Sequence, residues 1–144
     1  MTKISGVAEA VLYTKDIHKA TEFYTNVLGL PLTYAFGDSR FLQTGEHSTL
    51  ILFQLDVLKA RTSVIPAHGA HGAGHVALAI DGAQYEAWKA RLIAHGVEIE
   101  HEQRWSQGTR SIYFRDPDSN SLELIEKRHY PLVWELKGLG AAIQ

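Results

Sequence analysis

Three side chains with metal-binding chemistry interrupt otherwise apolar segments of this chain: Glu9 in VAEAVLYT, His75 in GHVALAI and Glu123 in SLELIE. A carboxylate or imidazole set among Val, Leu, Ile and Ala is costly to desolvate unless a cation or a hydrogen-bond partner meets it. Each one alone reads as an ordinary satisfied group. Glu9, for instance, could pair with His75, Arg40 or Arg110. The three together suggest more, because two carboxylates and an imidazole suit a divalent ion of the Mn, Fe, Co, Ni or Zn kind. Whether they can meet depends on the elements that carry them.

Those elements repeat. Residues 7–14 read as a buried strand. Asp16 follows as an N-cap whose carboxylate can accept the free N–H groups of a first helical turn. Ile17, Ala20, Phe23, Tyr24, Val27 and Leu28 fall at helical spacing, which predicts a helix over 17–28 ended by Gly29. Short strands are expected near 31–36, 39–44 and 49–54. The same order recurs: a strand over 74–80, a helix over about 82–94 stopped by Gly96, and strands near 97–102, 109–115 and 121–126. TLILFQ (49–54) lies over SLELIE (121–126), SRFLQ over SIYFR, and residues 9–13 over 75–79. A repeat of about seventy residues outweighs any single strand assignment, because each unit tests the other.

The expected fold class is therefore α+β: one domain of two βαβββ modules, 7–54 and 74–126, whose mixed sheets curl around a shared cavity. A Gly- and Ala-rich crossover loop spans 55–73, and a tail follows over 127–144. Strand alternation assigns faces. Leu122 and Leu124 must face the helices, so Glu123 faces the concave side. Val11 and Tyr13 share the face of Glu9, and Ala77 and Ala79 that of His75. Ser111, Tyr113 and Phe41 fall on the inner face by register. Trp105, Gln107 and Arg110 in RWSQGTR are expected at the mouth of a substrate pocket. Trp88 and Tyr24 read as core. His68 and His71 of HGAHGAGH read as loop residues able to form a lid. His18, His47, His95, His101 and His129 read as surface.

Composition narrows the function classes. Hydrophobic residues make up 45% and charged residues 21%, enough for an ordinary core. The net charge of −2 comes without a Lys/Arg-rich run, so nucleic acid is not expected as a partner. No apolar run approaches the roughly 20 residues of a membrane span. The segment MTKISGVAEA lacks the basic-then-apolar pattern of a secretory signal. There is no cysteine, which removes disulfides, thiolate metal sites and thiol nucleophiles. A cytoplasmic protein is the expectation.

The segments LYTKDIHKATEFYTNVLGLPL (12–32), GHVALAID (74–81) and SIYFRDPDSNSLELIE (111–126) resemble the vicinal-oxygen-chelate superfamily. That superfamily includes glyoxalase I, the bleomycin- and fosfomycin-resistance proteins, methylmalonyl-CoA epimerase and the extradiol dioxygenases. The resemblance implies metal ligands on the first strand of each unit and the last strand of the second, which are Glu9, His75 and Glu123. It departs from the family at Glu9, where His or Gln is usual. It departs again at Ile51, which stands where glyoxalase I and the epimerase carry a fourth ligand. Extradiol dioxygenases use two His and one carboxylate, the reverse of the count here. The fosfomycin-resistance enzymes match Ser111 and Tyr113, without a clear equivalent of their basic phosphonate cluster.

What the resemblance implies is a metal-dependent enzyme acting on a small oxygenated metabolite by glyoxalase- or isomerase-like Lewis-acid chemistry, with Glu9 or Glu123 as catalytic base. An Fe(II) extradiol-type dioxygenase is one alternative. A bleomycin-resistance-like protein that binds a small molecule without turnover is another. Family members commonly pair units across subunits, and the tail carries Tyr130, Leu132, Val133 and Trp134. A homodimer is therefore expected, with the site completed either within one chain or across the pair.

Overall fold

Two four-stranded mixed sheets of the same internal order carry the chain. The structure is a computed structural model that describes residues 2, 4, 6–60, 62, 64–66, 68–105 and 108–127. The first sheet holds β1 (Glu9–Thr14), β2 (Leu32–Phe36), β3 (Ser39–Gly45) and β4 (Ser48–Gln54) in the order β1-β4-β3-β2. The second holds β5 (His75–Ile80), β6 (His101–Arg104), β7 (Arg110–Arg115) and β8 (Ser121–Glu126) in the order β5-β8-β7-β6. In each, the first strand runs parallel to the last and the other pairs are antiparallel. The α+β class and the internal repeat expected from the sequence are thus present in the topology. Among the described residues, no helix is long and apolar enough to cross a membrane.

Local chemistry sets the helix ends. The Asp16 carboxylate accepts from the N–H groups of His18 and Lys19 and starts α1 (Ile17–Glu22). Gly29 and Gly96 follow the two main helices with φ of +68° and +71°, the left-handed conformation that glycine adopts without strain. The expected single helix over 17–28 changes character midway. After Glu22 it widens to a π-helix over Phe23–Val27. Thr21 and Thr25 bond back to the carbonyls of Ile17 and Thr21, and such side-chain competition loosens the regular ladder.

Two further stretches differ from expectation. The crossover begins with α2 (Leu55–Ala60), where Leu55 is buried and Asp56 and Lys59 sit at the ends that suit the helix dipole. The strand expected near 97–102 forms later, at His101–Arg104, because Val97 and Ile99 pack against the core. The second main helix, α3 (Tyr85–Ala94), is preceded by a 3₁₀ turn at Gly82–Gln84 capped by Asp81. Gln107 and the tail residues Tyr130, Leu132, Val133 and Trp134 lie outside the described residues.

One core serves the helix sides of both sheets. Leu12, Leu42, Leu50 and Leu52 enter it from the first, and Ile112, Phe114, Leu122 and Leu124 from the second, around Ile17, Ala20, Tyr24, Tyr85 and Leu92 of the helices. The π-helical turn that continues α1 reaches the second sheet, with Phe23 and Phe114 rings 6.4 Å apart. The Tyr24 hydroxyl donates to Asp116 Oδ2 at 2.7 Å. Burial, then the Asp116 charge, pushes the Tyr24 phenol far above its ordinary value, so it remains a donor.

Asp116 is also the hub of the DPDSN turn. It accepts from the backbone N–H groups of Asp118 and Asn120 and from the Asn120 amide. Asn120 in turn accepts from Gly74 N–H at 2.7 Å, which fixes the residue before His75. Replacing Tyr24 by Phe removes one donor from this buried hub. Urea unfolding should then show a loss of about 1–3 kcal/mol.

Candidate functional site

His75 begins β5 and Glu123 sits in the middle of β8, one register step away: His75 pairs with Ser121 and Ala77 with Glu123. Both side chains project from the face opposite the core. His75 Nδ1 lies 3.0 Å from the Ser121 carbonyl oxygen. A carbonyl only accepts, so Nδ1 donates to it and Nε2 is the ring nitrogen left to face Glu123. Nε2 stands 3.4 Å from Glu123 Oε2. A proton on Nε2 would make this contact an ion pair, and a divalent ion bound by both groups would serve as well.

The other carboxylate oxygen sharpens the point. Glu123 is 6% exposed, and its buried Oε1 has no hydrogen-bond partner among the described residues. A native buried polar atom without a partner asks for an explanation, and an ion is one of the few available. The donor set fits: imidazole nitrogen and carboxylate oxygen suit Mn, Fe, Co, Ni and Zn alike. The Ser121 contact would fix the tautomer and ring orientation that a ligating imidazole needs.

Tyr113 lies across from Glu123 on β7, its ring stacked beside His75 at 6.3 Å and 20°. Ser111, two residues back, is fully buried and takes a hydrogen bond from Trp105 Nε1 at 2.9 Å. His101 faces Tyr113 from β6, with ring centroids 6.1 Å apart. His75, Glu123, Tyr113, Ser111, Trp105 and His101 therefore share one sheet face.

A model of the Glyoxalase/Bleomycin resistance protein/Dioxygenase superfamily matches residues 6–124. The chain belongs to that superfamily. It is 30% identical over 128 residues to the fosfomycin resistance protein FosX of Listeria monocytogenes, covering 84% of this chain and 89% of that one. It is 27% identical over 124 residues to a catechol-2,3-dioxygenase of Bacillus subtilis, covering 85% of this chain and 41% of that protein. Among solved structures, a lactoylglutathione lyase from Agrobacterium tumefaciens superposes with a TM-score of 0.80 at 35% identity, covering 87% of this chain and 96% of the other. These superfamily relatives carry several different activities in their names, so the fold alone selects none.

Not every expected residue joins His75 and Glu123. Among the described residues, no three His, Cys, Asp or Glu side chains converge as a metal-binding group, so within one chain Glu9 does not reach the other two. Glu9 is exposed and lines a separate cavity of about 260 Å³ at the seam with β5, beside Thr49, Val76 and Ala79. Phe41 lies on the first sheet, edge-on to Tyr34.

Arg110 leaves the pocket altogether. It starts β7 with the parity of Ile112 and Phe114, so it turns to the helix side. There its guanidinium lies 4.0 Å over the Tyr85 ring and bonds Glu126 at 2.7 and 3.0 Å. The same pairing holds the Glu126 carboxyl below its ordinary range.

Two histidines, expected as a surface residue and a loop residue, are exposed as expected and also touch aromatic rings. His101 shares the site face, which became visible only once β6 began at residue 101. His68 folds back so that its Nδ1 meets the Tyr13 hydroxyl at 2.7 Å. Its neighbour His71 contacts Lys59 of α2.

The facing side chains of His75 and Glu123 make a test. In chelator-treated protein at pH 8, Glu123→Gln replaces a buried charge with an amide able to donate to Nε2. Urea unfolding should show it about 1 kcal/mol more stable than the parent, while its metal retention falls.

Proposed function

We propose that this superfamily member is a metal-dependent enzyme that acts on a small substrate bearing two neighbouring oxygens, by Lewis-acid chemistry of the lyase or isomerase kind. The observation that supports it best is the His75–Glu123 pair: a tautomer-fixed imidazole facing a carboxylate whose second oxygen is buried and, among the described residues, unpartnered. His75 Nε2 and Glu123 would hold the ion. Glu9 would be the third ligand, supplied by the first sheet of a second copy of the chain, because in its own chain it points elsewhere. A homodimer is part of the proposal for that reason, and a two-fold arrangement forms two equivalent sites.

When bound, the divalent ion supplies polarisation of the substrate oxygens. The chain's own groups do the remaining work. Glu9 sits at an exposed strand start and would accept a proton from the substrate. Tyr113 and Trp105 wall the face and exclude water. Ser111 is committed to Trp105 and orients that indole. One imidazole with two carboxylates differs from the two-His-one-carboxylate triad of non-haem Fe(II) oxygenases, which favours Lewis-acid over oxygen chemistry.

Metal analysis by ICP-MS on protein purified without added metal tests the reading. The parent should carry a stoichiometric divalent ion. His75→Ala and Glu123→Ala should lose it, and Glu9→Ala should at least weaken its retention, all with unchanged far-UV circular dichroism. Light scattering at micromolar concentration should give the mass of a dimer. A metal-free parent, or variants that keep the ion, would move the reading to binding without turnover.

A further inference from the structure

The two faces of the first sheet differ in chemistry. Leu12, Leu42, Leu50 and Leu52 face the core. By alternation and register, the opposite face carries rings from all four strands: Tyr13, Tyr34, Phe36, Phe41 and Phe53. Tyr13, Phe41 and Phe53 are half-buried, whereas Tyr34 and Phe36 are 58% and 62% exposed, beyond what burial within this chain accounts for. They are nonetheless ordered against one another. Tyr34 meets Phe41 edge-on at 5.6 Å and 81° and stacks beside Phe36 at 6.4 Å and 12°.

A polar pair closes the β1 end of this face. His68 lies T-shaped to Phe53, with ring centroids 5.2 Å apart, and its Nδ1 meets the Tyr13 hydroxyl at 2.7 Å. Desolvation raises the Tyr13 phenol, which keeps it neutral. The pair therefore offers a hydrogen-bonding edge to a ligand. The arginine of this sheet is turned away: Arg40 bonds the carbonyls of Gly37 and Ser39, at 2.8 Å each. Arg110 and Arg115 of the second sheet are held by Glu126 and Glu100. An anionic ligand would find none of these three guanidinium groups available.

We propose that this face binds a planar, uncharged aromatic ligand bearing a hydroxyl or carbonyl group, with its ring against Phe41, Phe53 and Tyr34 and its oxygen at the Tyr13–His68 pair. Taking that ligand to be the substrate rests on the metal-dependent reading above, whereas the ring site itself does not. Across a two-fold dimer, the same face would look toward the partner's ion-holding residues and define the substrate class.

The test uses the full chain, stripped of metal by a chelator, with three probes: 2-naphthol, naphthalene and methylphosphonate. Saturable binding of 2-naphthol is expected, with methylphosphonate failing to compete. Phe41→Leu and Phe53→Leu keep apolar bulk but remove the ring, and each should weaken 2-naphthol by roughly three- to tenfold. Tyr34→Leu, at a largely exposed position where folding is not at stake, should do the same. Tyr13→Phe should reduce the preference for 2-naphthol over naphthalene and leave naphthalene affinity unchanged.

Absence of saturable 2-naphthol binding overturns the proposal, and that result is also what a second copy of the chain sealing this face would give. Equal binding by the Leu variants, or displacement by methylphosphonate, overturns it as well. Metal content and naphthol affinity are read separately. His75→Ala should lose the ion and keep the ring site, so failure of one reading does not conceal failure of the other.

Discussion

The constraint on which the rest of this molecule depends is a single apolar core that serves the helix sides of both sheets. Leucines from β1, β3 and β4 meet Ile112, Phe114, Leu122 and Leu124 around helices contributed by both units. Each sheet has two faces, so committing one face to a shared core turns the other outward. That is why Glu9, Tyr34 and Phe36 on one sheet, and His75 and His101 on the other, remain accessible although they sit in regular strands. The same packing separates Glu9 from His75 and Glu123 within one chain.

The placement of His75 comes from polar groups in the turn before β8 rather than from the core. Tyr24, Asp116 and Asn120 form a buried chain of hydrogen bonds ending on the Gly74 N–H. The first helix, the DPDSN turn and the start of β5 are thereby fixed to one another. His75 follows Gly74 directly, and its ring is then held by the Ser121 carbonyl. A displacement of the π-helical turn that carries Tyr24 would reach Gly74, next to His75, through three hydrogen bonds. The superfamily pattern DPDSN therefore has a mechanical reason in this chain, independent of any contact with substrate.

How much of this was legible in the sequence follows from which forces act locally. The repeat, the strand order and the Asp16 cap could be read, because alternation, capping and glycine placement are local. The convergence of His75 with Glu123 could also be read, since register in a parallel pair follows from the hydrophobic alternation of both strands. The place of Glu9 could not, because it depends on how two modules pack, and pattern within a module carries no information on that. Arg110 was misplaced by one residue of parity: the run RSIYFR puts Ser111 and Tyr113 inward, so Arg110 must face the helices with Phe114. The ring contact of His101 with Tyr113 was not legible because β6 was started too early, at Val97, whose side chain the core takes instead. His68 lies in a Gly-rich loop, and its return onto Tyr13 and Phe53 is a tertiary contact with no local signature.

The count of carboxylates bears on what such a site could accept. If Glu9 and Glu123 both bind a divalent ion in ionised form, the ligands alone cancel its charge. A neutralised centre attracts anions only weakly, whereas a centre with two imidazoles and one carboxylate retains a positive charge. A phosphonate-type substrate would then need cations from the protein. Arg40 is spent on backbone carbonyls, and Arg110 and Arg115 on glutamates. A Glu at position 9, were it a ligand, and the turning of Arg40 and Arg110 to the helix side would act in the same direction. Both lower the electrostatic preference for an anion and leave dispersion, ring packing and neutral hydrogen bonds as the terms that discriminate among ligands.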